Sequence, residues 1–181
     1  MSVTAVLLTG GLASGKTAVA VELGEILGER GTPHAVVDLD WLCWAGPDLD
    51  GTAVHGLLTA NLRAVTAEYR KAGIDRFVLA RALLEPAHLA AVRAGLTVGA
   101  AAPYLTVVRL TVSRETAVAR LRGRDSGANL AAHLGEVDGF AARVARAGVE
   151  DHVVVNEGRS LREVASEVLE HAGLTRSPTS G

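Results

Sequence analysis

A glycine-rich segment near the start of the chain carries the residue types that bind phosphate groups. It reads GGLASGKT over positions 10–17, matches the Walker A pattern, and lies between an apolar run and a helical pattern. Glycines let the loop curl until its backbone N–H groups face phosphate oxygens, and the lysine can reach the outer phosphates. The chain has only two lysines, and one of them is the motif's. The predicted phosphate cradle consists of Gly10, Gly11, Leu12, Ala13, Ser14, Gly15, Lys16, Thr17 and Ala18.

Two aspartates come at the end of the next apolar run. Asp38 and Asp40 are alternate residues, so on a strand both would point to one side and face the cradle. Phosphoryl transfer needs a metal ligand and a group that takes the proton of the attacking hydroxyl. We assign magnesium to Thr17 and Asp38 and the base to Asp40, with Asp38 as the alternative base.

Four arginines have predicted roles around a bound nucleotide and its acceptor. Arg120 and Arg124 lie one helical turn apart, so both can face a triphosphate from a lid that closes and excludes water. Arg81 directly follows a third apolar run, where it either contacts the acceptor or pairs with a surface acid. Arg159 ends the loop Asn156–Arg159, whose place between a strand and a helix suits a purine ring.

Trp41 and Trp44 flank the single cysteine just after the aspartates. They form either an apolar wall for the acceptor or part of the core. The six histidines are scattered along the chain, and the sequence assigns none of them a catalytic role.

Apolar runs alternate with helical patterns along the whole chain, which predicts a doubly wound α/β sheet of five parallel strands flanked by helices. Ligands of such sheets bind beyond the carboxyl ends of the strands. Strands are predicted at 4–9, 34–40, 77–80, 105–111 and 152–155. Helices are predicted at 16–27, 53–72, 85–94, from 113, at 129–147 with interruptions at Gly135 and Gly139, and from a capping box at Ser160 to 171.

Length and composition indicate one domain and small solutes as partners. The chain has 181 residues, of which 49% are hydrophobic, and we expect a domain over 1–174 with a lid at about 122–140 and a disordered tail at 175–181. A net charge of -2 gives no attraction to nucleic acid or to an anionic membrane. The lone Cys43 forms no internal disulfide, no paired Cys/His spacing of a zinc site is present, and a cytoplasmic location is expected.

On these motifs the chain resembles the small P-loop kinases related to shikimate and gluconate kinases, adenylylsulfate kinase and chloramphenicol phosphotransferase. The resemblance implies a P-loop NTPase fold of the nucleoside and small-molecule kinase type with a helical lid, and ATP and Mg²⁺ as cofactors. Trp41 follows Asp40, whereas adenylylsulfate kinases have an arginine shortly after the second acid. Arg81 lies where shikimate kinases carry a glycine cluster. The resemblance therefore stops short of naming the acceptor.

The leading hypothesis is an ATP- and Mg²⁺-dependent phosphotransferase, monomeric or homodimeric, that acts on a hydroxyl of a metabolite or antibiotic. A nucleoside monophosphate kinase or an adenylylsulfate kinase-like enzyme is the alternative, although a second phosphate pocket would have only Arg63, Arg70 and Arg81 nearby. A further alternative is a non-catalytic nucleotide-dependent switch. The DLDG segment at 48–51 fits the short GTPase switch pattern, but no Asn-Lys-x-Asp guanine motif is present.

Overall fold

The computed structural model describes residues 2–45 and 51–174. Its strands are β1 (Thr4–Gly10), β2 (Ala35–Asp38), β3 (Arg76–Ala80), β4 (Tyr104–Thr111) and β5 (His152–Val155). They form one sheet in the order β2-β3-β1-β4-β5, and every pairing is parallel. The predicted doubly wound sheet is confirmed. The tail at 175–181 and most of the 48–51 switch-like segment lie outside the described residues.

Helices connect consecutive strands in the described part of the chain. They are α1 (Lys16–Glu29), α2 (Gly51–Lys71), α3 (Pro86–Leu96), α4 (Arg114–Arg124), α5 (Gly127–Ala147) and α6 (Leu161–Ala172). The predicted interruptions of α5 are wrong, because the helix runs unbroken through Gly135 and Gly139. A glycine inside a helix costs about 1 kcal/mol relative to alanine. Burial of Val137 and Val144 on the same helix offsets that cost.

Two apolar layers cover the two faces of the sheet. Leu8 of β1 packs in a cluster with residues of α1 and α6, including Leu23 and Val168. Its neighbour Leu7 belongs to the opposite cluster, which contains Phe77 of β3 and Leu58 of α2. Adjacent residues of a strand point to opposite faces, so β1 is apolar on both sides and lies at the centre of the molecule.

Helix α1 approaches the sheet closely at one glycine. A Cβ built on Gly24 would lie 2.7 Å from Cγ2 of Val36 and 3.4 Å from Nε2 of His34. Real Cβ atoms essentially never approach another heavy atom to 2.7 Å, so only glycine lets α1 lie this close to β2. The helix that follows the glycine-rich loop and the strand that carries Asp38 are therefore held at a short, fixed distance.

The carboxyl ends of the strands meet at one edge of the sheet. β1 ends at Gly10, immediately before the glycine-rich loop, and β2 ends at Asp38. Arg81 continues β3, since its amide donates to the Leu8 carbonyl at 3.0 Å. None of the helices in residues 2–45 and 51–174 combines the length and the apolar character that crossing a bilayer requires.

Candidate active site

The glycine-rich loop has the backbone that a phosphate cradle needs. Ala13 and Gly15 have φ angles of 53° and 91°, in the left-handed region that turns the chain back on itself. Gly15 is the N-cap of α1, and neither a capping side chain nor a first-turn acid covers the start of this helix. The N–H groups there remain free to bind an anion, and the helix dipole favours one.

Lys16 lies folded over the loop. Its Nζ donates to the carbonyls of Gly10 at 3.2 Å and Gly11 at 3.0 Å. Burial lowers its pKa from 10.5 to about 8, against the opposing effect of Asp40 and Asp38. A partly buried ammonium whose hydrogen bonds go to carbonyls is stabilised by an anion that enters the loop.

Two side chains, those of Asn156 and Arg120, donate hydrogen bonds to three backbone carbonyls at and beside the glycine-rich loop. Asn156 Nδ2 donates to the Ser14 carbonyl at 2.8 Å, and the residue is 1% exposed. Arg120 donates from Nη1 to the Ala13 carbonyl at 3.2 Å and from Nη2 to the Asn156 carbonyl at 2.9 Å. The loop, the end of β5 and α4 therefore form one connected unit.

A cavity of about 310 Å³ opens between the loop and α4. Its lining residues belong to the loop, to the start of α1 and to α4. Arg124 lies at the rim and pairs with Asp125 at 2.8 Å, a bond that raises the arginine's pKa. The cavity is lined by Ala13, Gly15, Lys16, Thr17, Ala18, Arg120 and Arg124, all of which the sequence assigned to the nucleotide side.

Asp38 and Asp40 lie together at the end of β2, but a turn and not strand alternation brings them there. Thr17 Oγ1 donates to Asp38 Oδ2 at 2.9 Å. Asp38 Oδ1 accepts the Asp40 amide at 3.1 Å, which folds the chain back beyond the strand. A hydroxyl and a carboxylate at hydrogen-bonding distance are hard oxygen donors that could hold Mg²⁺ between them.

Arg81 is buried beneath Asp40. Its Nη1 donates to Asp40 Oδ1 at 2.8 Å and to Cys43 Sγ at 2.9 Å, and the side chain of Arg81 is only 10% exposed against 60% for Asp40. Burial raises the pKa of Asp40, with Arg81 acting in the opposite direction. A carboxylate oriented from below and open above is suited to accept a proton.

The two tryptophans form an exposed pair beside Asp40. Their rings stack with centroids 5.1 Å apart, and Trp41 and Trp44 are 71% and 75% exposed. They are not part of the core. Asn61 Nδ2 holds the turn between them through the Leu42 carbonyl at 2.6 Å.

Arg159 and its loop are arranged differently from the expectation. The guanidinium donates to Glu167 at 2.5 Å and to the Glu163 carbonyl at 3.2 Å, so it is engaged by α6 and does not line the cavity. Sequence reasoning missed its neighbour Glu157, which accepts hydrogen bonds from Thr116 and from Ser113 Oγ at 2.7 Å. These bonds lower the pKa of Glu157 to about 2 and fix the start of α4.

The comparisons with known proteins agree on the fold. No family model matches the chain, and neither does any curated protein sequence. A solved tunicamycin resistance protein from Deinococcus radiodurans superimposes with a TM-score of 0.63 at 20% identity, covering 97% of this chain and 99% of that one. The APS kinase of Mycobacterium tuberculosis, solved with AMPPNP and APS, gives 0.60 at 23% identity over 93% and 96% of the two chains.

A third solved structure belongs to the same group. Shikimate kinase from Acinetobacter baumannii, in complex with shikimate, gives a TM-score of 0.60 at 16% identity over 93% of this chain and 92% of that one. Together with the strand order, these similarities show that the chain has the fold of the small P-loop kinases.

Proposed function

We propose that this protein is an ATP- and Mg²⁺-dependent phosphotransferase that moves the γ-phosphoryl group to a hydroxyl of a small molecule, a metabolite or an antibiotic. One observation carries the proposal. Thr17, next to the loop lysine, donates to Asp38 at 2.9 Å, and Asp38 accepts the Asp40 amide at 3.1 Å, so the aspartate pair lies against the start of α1, while Arg81 orients Asp40 from below. A proton acceptor and a phosphate-binding ammonium thus face the same space.

The residues present fit a magnesium nucleotide. The uncapped start of α1, the left-handed Gly15 and the partly buried Lys16 offer donors to a phosphate chain. Thr17 and Asp38 offer oxygen ligands for the metal. Bound there, Mg-ATP supplies the phosphoryl group and the charge neutralisation that transfer requires.

The basic side chains around the cavity have separate roles in this proposal. Lys16 stabilises negative charge on the outer phosphates, and Arg124 can leave Asp125 to add a second positive charge from the rim of the cavity. Arg120 holds the loop in shape by gripping the Ala13 carbonyl. We propose that the segment at about 122–140 acts as the lid that closes over the nucleotide and excludes water.

Asp40 takes the proton of the acceptor hydroxyl. Arg81 holds Oδ1, which fixes the plane of the carboxylate and leaves it exposed on the side away from the core. The paired indoles of Trp41 and Trp44 supply an apolar face beside it, against which the carbon skeleton of the acceptor packs. An acceptor with an apolar or ring face next to its hydroxyl suits this arrangement.

A panel of alcohols, nucleosides, nucleotides and antibiotics incubated with Mg-ATP tests the proposal by ADP formation. We expect one class of hydroxyl compound to raise ADP release well above the rate without acceptor, and mass spectrometry to find a product heavier by one phosphoryl group. Preference for a nucleoside monophosphate would replace the alcohol assignment with the nucleotide kinase alternative. If no acceptor changes ADP release while nucleotide alters association with another protein, the switch reading replaces both.

A further inference from the structure

Two histidines and a glutamate meet on the acceptor side of the molecule, outside the groups used above. His55 lies near the start of α2, Glu85 is the N-cap residue of α3, and His88 lies in the first turn of α3. Glu85 Oε1 is 3.7 Å from His55 Nε2 and 3.5 Å from His88 Nε2. One ligand atom from each residue lies within 4.8 Å of the others. We propose that His55, Glu85 and His88 bind Zn²⁺ or a closely similar transition-metal ion.

The distances suit a tetrahedral metal ion. Zinc binds imidazole nitrogen and carboxylate oxygen at about 2.0–2.2 Å, so neighbouring ligand atoms lie roughly 3.3–3.5 Å apart in a tetrahedron. The His88–Glu85 separation of 3.5 Å already has that value, the His55–Glu85 separation of 3.7 Å needs a small side-chain adjustment, and the ligand atoms of the two histidines lie within 4.8 Å of each other. Two imidazoles with one carboxylate favour zinc over magnesium or calcium. Three protein ligands leave a fourth position for water or another donor.

The two helices that carry the histidines are held in register farther along. Thr59 Oγ1 donates to the Ala91 carbonyl at 3.1 Å, and Arg63 Nη2 donates to the Ala94 carbonyl at 3.2 Å. Gly95 permits the close packing, because a Cβ there would lie 2.9 Å from Leu62 Cβ. Both helices advance together, so His55 and His88 lie about one turn before these contacts. Their backbones are therefore fixed before any metal arrives.

Burial gives the site a closed side and an open side. The side chains of His55 and His88 are 20% and 14% exposed, whereas that of Glu85 is 55% exposed. The histidine rings contact edge to face at 4.7 Å between centroids, which fixes their relative orientation. A metal ion can enter past Glu85 and meet two ring nitrogens already held in place.

Metal binding requires a change at His88 that can be observed. Its Nδ1 accepts the Leu84 amide at 3.2 Å, so in the metal-free protein the neutral ring carries its proton on Nε2, toward Glu85. A metal on Nε2 moves that proton to Nδ1 and releases the Leu84 amide. The tautomer of His88 thus distinguishes a metal site from a histidine–glutamate hydrogen bond.

The experiment titrates Zn²⁺ into chelator-stripped full-length protein, using a competing chromogenic chelator and excess Mg²⁺ to occupy the oxygen ligands at Thr17 and Asp38. We expect uptake of one ion per chain. H55Q and E85Q should each weaken binding at least about 10-fold. H152Q removes a histidine that stacks on His171 elsewhere, at 4.1 Å between ring centroids, and should leave the affinity unchanged. Equal affinity in the parent, H55Q and E85Q, or no uptake at all, overturns the proposal.

Two further readouts keep the test independent of folding and of kinase activity. Zinc should raise the Tm of the parent and of H152Q but not that of E85Q, whose unliganded Tm serves as the folding control. Imidazole ¹⁵N spectra should show His88 protonated on Nε2 without zinc and on Nδ1 with it. An unchanged tautomer on zinc addition contradicts the site as assigned.

Discussion

The proposed nucleotide side, formed by the glycine-rich loop with Arg120 and Asn156, and the proposed acceptor side, formed by Asp40, Arg81 and the two tryptophans, are built in different ways. On the nucleotide side, Asn156 and Arg120 fasten the glycine-rich loop to β5 and α4 through three carbonyls. On the acceptor side, Asp40 is fixed from below by Arg81 but is 60% exposed, and both tryptophans lie in solvent. A cofactor shared by many enzymes can be bound by a preformed cradle. On the proposed function, the acceptor side instead has an exposed recognition surface that the substrate would cover.

The largest expected effect comes from removing the cradle's charge. K16A should lower kcat at least about 1,000-fold, because it removes the ammonium held against the loop where the outer phosphates would bind. The matched control is K71A, which removes the chain's other lysine, an exposed residue paired with Glu68 at 2.6 Å. Steady-state kinetics with circular dichroism for the fold make the measurement. Substantial activity in K16A would show that the lysine of the glycine-rich loop is not needed for phosphoryl transfer.

D40N removes the proposed general base. Loss of a general base typically costs about 100- to 10,000-fold in rate, and we expect a kcat loss in that range. The affinity for Mg-ATP, measured by calorimetry, should change little, because the amide keeps the shape of the carboxylate. E68Q, on the exposed pair with Lys71, is the control. If D40N retains full activity, the base is Asp38 or another group.

The rigidity of the nucleotide side is tested by N156A. Its loss leaves the buried Ser14 carbonyl without its donor, which should lower the free energy of unfolding by about 1–3 kcal/mol. Asn61 makes the same kind of bond on the acceptor side, to Leu42, but is exposed, so N61A should cost clearly less. Urea denaturation compares the two. Equal losses of unfolding free energy in N156A and N61A would contradict the proposal that the nucleotide side is the more rigidly held of the two.

The open surface of the acceptor side is tested by W41A. We expect the KM for the acceptor to rise about 10-fold, since an indole that the substrate covers contributes on the order of 1.5–3 kcal/mol when fully buried. The KM for ATP and the Tm should stay the same, because Trp41 is 71% exposed in the free protein. Y104A, a 72% exposed aromatic at the start of β4, is the control. A fall in Tm without a change in KM would make the indole pair structural.

The smallest effect concerns acid stability at the nucleotide side. Hydrogen bonds from Thr116 and Ser113 lower the pKa of Glu157 from 4.5 to about 2 in the folded protein. The unfolded chain therefore binds this proton more readily, and the stabilisation is complete above 4.5 and disappears as the pH falls toward about 2. The difference in unfolding free energy between the parent and E157Q should shrink over that interval. A difference that does not vary with pH would contradict this origin.

The sequence was informative where short segments determine structure. Apolar runs predicted the sheet, and the predicted cradle residues from Ala13 to Ala18, except Ser14, line one cavity. Contacts between distant residues could not be predicted in the same way. Nothing local indicates that Arg120 would reach the Ala13 carbonyl or that Arg81 would be buried under Asp40. Each depends on a long side chain meeting a backbone or carboxylate that only the folded chain brings near.

The histidines show the same limit more sharply. His55 and Glu85 are thirty positions apart and belong to no spacing pattern, yet the register of α2 and α3 brings them together. The unbroken α5 is the opposite case, since local propensity indicated breaks at Gly135 and Gly139 and burial of its apolar side decided otherwise. In α5, tertiary contacts overrode the local preference of the glycines. In the histidine cluster, tertiary contacts alone bring the residues together.

The missing side chain at Gly24 has a consequence for substitutions as well as for geometry. Because the glycine-rich loop precedes α1 and β2 ends at Asp38, the distance between the loop and the aspartates is set about halfway along the helix, away from both groups. A methyl group added there would lie 2.7 Å from Val36 Cγ2, so the valine or the helix would have to move. A substitution at this interior position would therefore disturb the loop and the aspartates together, whereas a change in the exposed segment that bears the indoles would disturb neither.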